Sequence, residues 1–246
     1  MRVAVIGGTG LRSWGGEALR VDTPFGAVEA QVGKLAGREV WFLARHGPSH
    51  VVPPHKINVK ANVDAAARAG CERVLAVNTV GSMKRELLPG SLAVARDYID
   101  LSGRAATFFD DEVVHIDSSE PYCPEVRRAL REAAGGAPEV VYACTQGPRL
   151  ETPAEIRMLS GAADVVGMTG YPEVVLARER GLCYGALCVV SNLAAGLQER
   201  LTAREVAEAS QRAAPRVRSA VEAAVGKLPD ARGCACKDAL RDARLA

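Results

Sequence analysis

The chain is predicted to fold as a single α/β domain around a mixed sheet, and three features predict it. Short runs rich in Val, Ile and Leu alternate with amphipathic stretches of helical period. Each polar cluster follows a run rather than interrupting it, which is where open α/β sheets bind ligands. The length of 246 residues, with 48% hydrophobic and 24% charged side chains, suffices for one full core.

Arg2–Ile6 reads as the first buried strand, and Gly7-Gly8-Thr9-Gly10-Leu11 follows it directly. Counting from Gly8, Ser13 stands where a dinucleotide fingerprint needs its third glycine, and Trp14-Gly15-Gly16 is a poor helix start. A nucleotide cofactor is therefore disfavoured, while a loop whose N–H groups and Thr9 hydroxyl hold one small oxyanion is retained. Val28–Leu35 and Glu39–Ala44 read as a hairpin closed by Ala36-Gly37-Arg38, and its second strand runs into Arg45-His46-Gly47. A guanidinium fork beside an imidazole donor suits phosphate. His46, His50 and His55 also raise a metal reading, but they lack helical ligand spacing and Pro53-Pro54 forbids a regular helix across them.

Ile57–Ala69 is read as a helix stopped at Gly70, Arg73–Asn78 as a strand ending in the small polar turn Thr79-Val80-Gly81-Ser82, and Leu92–Asp100 as another strand. His115 lies in the loop before a helix at Pro124–Ala134. After a strand at Glu139–Thr145, Thr152, Pro153 and Glu155 form a capping box; this leaves Glu151 without a structural task and available to a ligand. Val165 and Val166 read as buried strand, Gly167 and Gly170 as points of close backbone approach to a ligand, and Pro172-Glu173 as the opening of a helix running to Glu179. A strand end, the Thr169 hydroxyl and a helix N-terminus together make an anion seat. Leu182–Val190 is the last strand and ends in Ser191-Asn192-Leu193-Ala194-Ala195-Gly196; a long helix covers Thr202 to Lys227. Residues 1–228 form the domain and 229–246 a poorly ordered tail.

Net charge is +2 from 31 basic and 29 acidic residues, so no basic field points to nucleic acid or a membrane surface. No run is long enough to span a bilayer, and the first apolar run is too short for a signal peptide. A cytoplasmic location is expected. The seven cysteines are odd in number, five of them dispersed (Cys71, Cys123, Cys144, Cys183, Cys188), with no C-x-x-C. Cys234-Ala235-Cys236 reads either as a redox-active pair or as two reduced thiols on a loose tail.

Taken together, Gly7-Gly8-Thr9-Gly10-Leu11, Arg45-His46-Gly47, Asn62, Val80-Gly81-Ser82, Gly147-Pro148 with Glu151-Thr152 and Ala154-Glu155, and Val165 through Glu179 resemble the trimeric purine nucleoside phosphorylase and methylthioadenosine phosphorylase family. The resemblance spans residues 3 to 225 and implies a three-layer αβα phosphorylase fold. It implies phosphate binding by Thr9, Arg45, His46 and Thr169 with Thr79 nearby, Met168 against the ribose, Leu150 on the purine face, and Glu151 and Asn192 at the purine's polar edge. Asn192, Glu151 and His46 would be the catalytic groups. His115 would reach a neighbouring subunit's site in a homotrimer, or in a hexamer of two trimers. No metal or cofactor is implied beyond inorganic phosphate as co-substrate.

Family members that use adenine nucleosides tend to carry aspartates in the last-strand loop, where this chain has Asn192 and Ala194. An amide donates to N7 or O6 while Glu151 accepts from N1–H, so 6-oxopurines such as methylthioinosine, inosine or guanosine are favoured. Ala203 aligns where phosphorylases accepting a 5′-hydroxyl have histidine, which favours a methylthio tail. The loop from Val189 to Gly196 resembles the methylthioinosine phosphorylase branch. Rival readings are methylthioadenosine phosphorolysis, a hydrolytic nucleosidase, and a non-catalytic purine or phosphate sensor.

Overall fold

The computed structural model describes residues 1–105 and 107–244. Within them the strands are β1 (Arg2–Gly7), β2 (Glu17–Thr23), β3 (Gly26–Leu35), β4 (Arg38–Ala44), β5 (Cys71–Ser82), β6 (Leu92–Leu101), β7 (Glu139–Thr145), β8 (Val165–Gly167) and β9 (Cys183–Leu193). The α-helices are α1 (Val59–Arg68), α2 (Pro124–Ala133), α3 (Pro153–Leu159), α4 (Glu173–Glu179) and α5 (Ala203–Lys227). The strands form one mixed sheet in the order β2-β3-β4-β1-β5-β8-β7-β6-β9. Because β9 pairs with both β6 and β5, the second half of the sheet closes on itself into a barrel-like ring.

Alternation along β1 shows why the sheet is covered twice. Ala4 and Ile6 pack with residues of α1 and α4 on one face, while Val3 and Val5 pack with α2 and α5 on the other. The three-layer α/β expectation is met. Helix ends follow their sequence signals: Thr152 caps α3 through a capping box with Glu155, Thr202 caps α5 through one with Glu205, and Gly70 closes α1 at φ +71.

Two expectations are corrected, and the sequence reading has no counterpart for the strand at 17–23, whose side chains are mostly exposed and carry no apolar run to announce it. Thr79–Ser82 and Ser191–Leu193 are not turns: they extend β5 and β9, pairing Val80 with Val190, Gly81 with Asn192 and Ser82 with Leu193 across a register shift. Residues 230–244 are not loose. Arg73 Nη2 binds the Pro229 carbonyl at 3.1 Å, Arg232 Nη1 the Gly181 carbonyl at 2.8 Å, and the Gly233 amide donates to Glu125 Oε1 at 2.7 Å. The chain then passes His115, whose amide donates to the Ala243 carbonyl at 2.8 Å. Arginines clamping backbone carbonyls do here what apolar side chains do elsewhere, and composition does not reveal them. Among the described residues no helix is long and apolar enough to cross a membrane.

Candidate active site

The carboxyl ends of β1, β4, β5 and β9, with the turns after β7 and β8, converge on one cleft. Thr9, Arg45, His46, Thr79, Leu150, Glu151, Met168, Thr169 and Asn192 all line it, as the sequence predicts. Two predicted residues do not. His115 is exposed and lines a separate hollow with Asp117, Arg178 and Arg241. Ala203 is exposed at the start of α5, and the apolar wall on that side comes from Leu201 and Val206.

At the phosphate end Arg45 is not a free fork. Its Nε and Nη2 hold the Glu173 carboxylate at 2.6 and 2.9 Å, Nη1 donates to the Val77 carbonyl at 2.8 Å, and Nη2 also donates to Asn78 Oδ1 at 2.8 Å. Four of its five N–H groups are therefore engaged, and one on Nη1 remains. Burial works against its charge, but the Glu173 carboxylate outweighs this and holds the guanidinium pKa above its ordinary value. Glu173 is itself fully buried and accepts a third bond from Tyr184 Oη at 2.9 Å. The first acidic residue of α4 therefore serves as a buried counter-ion, where the sequence reading gave it only as the opening of that helix.

The glycines of the turn after β8 also have a different task from the expected one. A Cβ on Gly167 would lie 2.3 Å from Tyr142 Oη, and one on Gly170 3.1 Å from the Tyr142 ring. Tyr142 fills that space and accepts from the Thr169 and Gly170 amides at 3.3 and 3.4 Å. Those two amides are thus already partnered, and at this turn the anion seat reduces to the Thr169 hydroxyl. Arg104 braces the same turn, donating to the carbonyls of Met168 at 2.8 Å and Gln146 at 2.6 Å. Thr79 Oγ1 donates to the Thr9 carbonyl at 3.0 Å, and so fixes the loop after β1.

His46 Nδ1 lies 2.8 Å from the Val52 carbonyl, which can only accept, so Nδ1 carries the proton. Burial lowers the pKa of His46, and Arg45 and Arg12 add to the effect. The imidazole is therefore neutral near pH 7, and its Nε2 offers a lone pair rather than the donor expected. His50 packs 4.6 Å from the His46 ring, centre to centre, and burial together with His46 lowers its pKa to about 4.

At the base end, Asn192 Nδ2 donates to the Leu193 carbonyl at 2.9 Å, which fixes the amide's orientation; Oδ1 accepts from Ser191 Oγ at 2.6 Å. One N–H of the amide remains. Gly81 makes this possible, since a Cβ there would sit 2.9 Å from Asn192 Nδ2. Glu151, expected to be idle in the fold, accepts from Thr145 Oγ1 at 2.6 Å through Oε1 and keeps Oε2 for other partners. The roles of Tyr142, Glu173, Ser191, Leu201 and Val206 escaped the sequence reading. Glu173 alone carried a signal, as an acid following a β-strand and turn that an upstream arginine could meet.

Three comparisons bear on this geometry. The pattern of the Phosphorylase superfamily matches residues 2–226. The chain is 44% identical to the 6-oxopurine nucleoside phosphorylase of Pyrococcus furiosus, covering 98% of each chain. It is 46% identical to a protein of Methanosarcina acetivorans named "Probable S-methyl-5'-thioinosine phosphorylase", covering 99% of this chain and 96% of that one. Among solved structures, methylthioadenosine phosphorylase from Schistosoma mansoni in complex with adenine superposes with a TM-score of 0.92 at 28% identity, over 99% of this chain and 98% of that one.

Proposed function

The chain belongs to the phosphorylase superfamily, and from that premise we propose that it cleaves purine nucleosides by phosphorolysis, favouring 6-oxopurines, to give the free base and (5-methylthio)ribose 1-phosphate. The observation that carries the base preference is the oriented Asn192 amide, with one N–H unspent at the purine edge. Phosphate attacks the anomeric carbon as the glycosidic bond lengthens, and the base leaves with negative charge on N7 and O6. Asn192 donates to that charge as it develops, and Glu151 accepts from N1–H. An aspartate in place of Asn192 would instead suit an adenine.

Thr9 and Thr169 supply hydroxyls to the nucleophile, Arg45 its remaining N–H, and His46 Nε2 accepts an O–H of the bound phosphate. Met168 packs on the ribose and Leu150 on the purine. Leu201 and Val206 give the 5′ end an apolar wall, which suits a methylthio group better than a hydroxyl. The reading includes a cytoplasmic homotrimer, or a hexamer of two trimers, with inorganic phosphate as the only co-substrate. An exposed His115 outside its own chain's cleft supports the assembly.

The test is base release from methylthioinosine, methylthioadenosine, inosine and guanosine, each with and without phosphate. Phosphate-dependent release of hypoxanthine from methylthioinosine is expected to dominate. Faster adenine release from methylthioadenosine would overturn the base assignment, and release without phosphate would overturn phosphorolysis.

A further inference from the structure

Two of the dispersed cysteines and the Cys234-Ala235-Cys236 pair meet at the end of β9 opposite Asn192. The sulfurs of Cys123, Cys183, Cys234 and Cys236 all lie within 4.8 Å of one another. Cys123 caps α2, Cys183 opens β9, and Cys234 and Cys236 flank Ala235 where a short 3-10 turn begins. Cys234 Sγ is 3.6 Å from Cys123 Sγ and 3.3 Å from Cys183 Sγ. Four thiolates bound to one tetrahedral zinc at about 2.3 Å would stand about 3.8 Å apart, close to this spacing.

We propose that Cys123, Cys183, Cys234 and Cys236 form a tetrahedral metal site that takes zinc and fastens the C-terminal segment to the domain. On binding, the four thiols release four protons to solvent and each sulfur donates one electron pair to the ion, with no change in oxidation state. The resulting centre carries two negative charges, and its surroundings are built to offset them. Arg73 is fully buried with Nη1 3.8 Å from Cys183 Sγ, and its Nε has no hydrogen-bond partner among the described residues. Glu125 and Glu72 lie 3.4 and 3.6 Å from the Arg73 guanidinium and hold it in place. Cys123 is the N-cap of α2, so a thiolate there meets the positive end of the helix dipole. A pair of disulfides is neutral and would leave the N-terminus of α2 facing no negative charge.

The need for a fastener is visible in the segment from Pro229 to Arg244, where only Cys236 and Ala243 are buried. Two small side chains give too little apolar area to anchor sixteen residues unaided.

The test uses the full chain purified under reducing conditions. Zinc released by a thiol-reactive mercurial should amount to one ion per chain, and cobalt substitution should give the d–d and thiolate-to-cobalt bands of a tetrahedral tetrathiolate. The double variant Cys234→Ser, Cys236→Ser should lose the ion and lower Tm, with KM for the nucleoside unchanged because Asn192 lies roughly 30 Å along the strand. Cys71→Ser should retain the ion. A reduced chain that takes up neither zinc nor cobalt overturns the proposal, as does a native chain whose mass shows these cysteines joined in S–S pairs. Should the double variant fail to fold, zinc stoichiometry and the cobalt spectrum of the unaltered chain still decide.

Discussion

The two ends of the cleft are built on opposite terms. At the phosphate end Arg45 and Glu173 are buried and nearly saturated by Val77, Asn78, Tyr184 and each other. At the base end Asn192 and Glu151 are each tied once or twice and keep hydrogen-bonding capacity in reserve. The residue that looks most like a ligand group in the sequence is thus the one most committed to the fold. Selectivity resides where capacity is left over.

The sharpest way to break this contrast is Arg45→Met. It leaves the Glu173 carboxylate buried without its partner, so a loss of about 3–5 kcal/mol is expected in thermal or urea unfolding. Arg45→Met with Glu173→Leu should recover most of that stability without restoring phosphate saturation. A single variant as stable as the parent would mean that the ion pair is not what holds this end together.

Asn192→Asp probes the other end and should behave in the reverse manner. Folding should lose the hydrogen bond to the Leu193 carbonyl, a smaller cost than that of Arg45→Met, while the ratio of adenine to hypoxanthine release should rise by about 10- to 100-fold, the consequence of exchanging one donor for an acceptor at a buried edge. A large fall in Tm with no change in ratio would erase the distinction drawn here.

The smallest effect is expected from pH. The unfolded chain binds protons on His46 and His50 at higher pH than the folded chain does, so stability is lost as pH falls from about 6.5 toward the depressed folded values, about 4 for His50. His50→Gln should flatten that slope between pH 6.5 and 5. An unaltered slope would place the titration elsewhere.

Most of the site was legible because its residues follow strands whose β-branched runs are unmistakable, as with Ile6 before Thr9 and Val166 before Thr169. What stayed hidden depends on partners distant in sequence. The strands β5 and β9 continue through Thr79–Ser82 and Ser191–Leu193 because each supplies the other's ladder, which neither stretch of small polar residues suggests by itself. Glu151 looked idle until Thr145 came within reach. Cys123 and Cys183 share no short spacing with each other or with the Cys234-Ala235-Cys236 pair, and only topology brings them to it. Ala203 was one turn out of register: the wall belongs to Leu201 and Val206, on either side of the Thr202 cap.

The contact between Tyr142 and the two glycines has an evolutionary corollary. Gly167 and Gly170 are small because a phenol ring occupies the room their side chains would need, so position 142 and the G-x-x-G turn are inherited as one decision made in two places. Exchanging the tyrosine for a small residue would free Gly170 but Gly167 only in part, since a Cβ on Gly167 would still lie 3.3 Å from the Thr79 carbonyl.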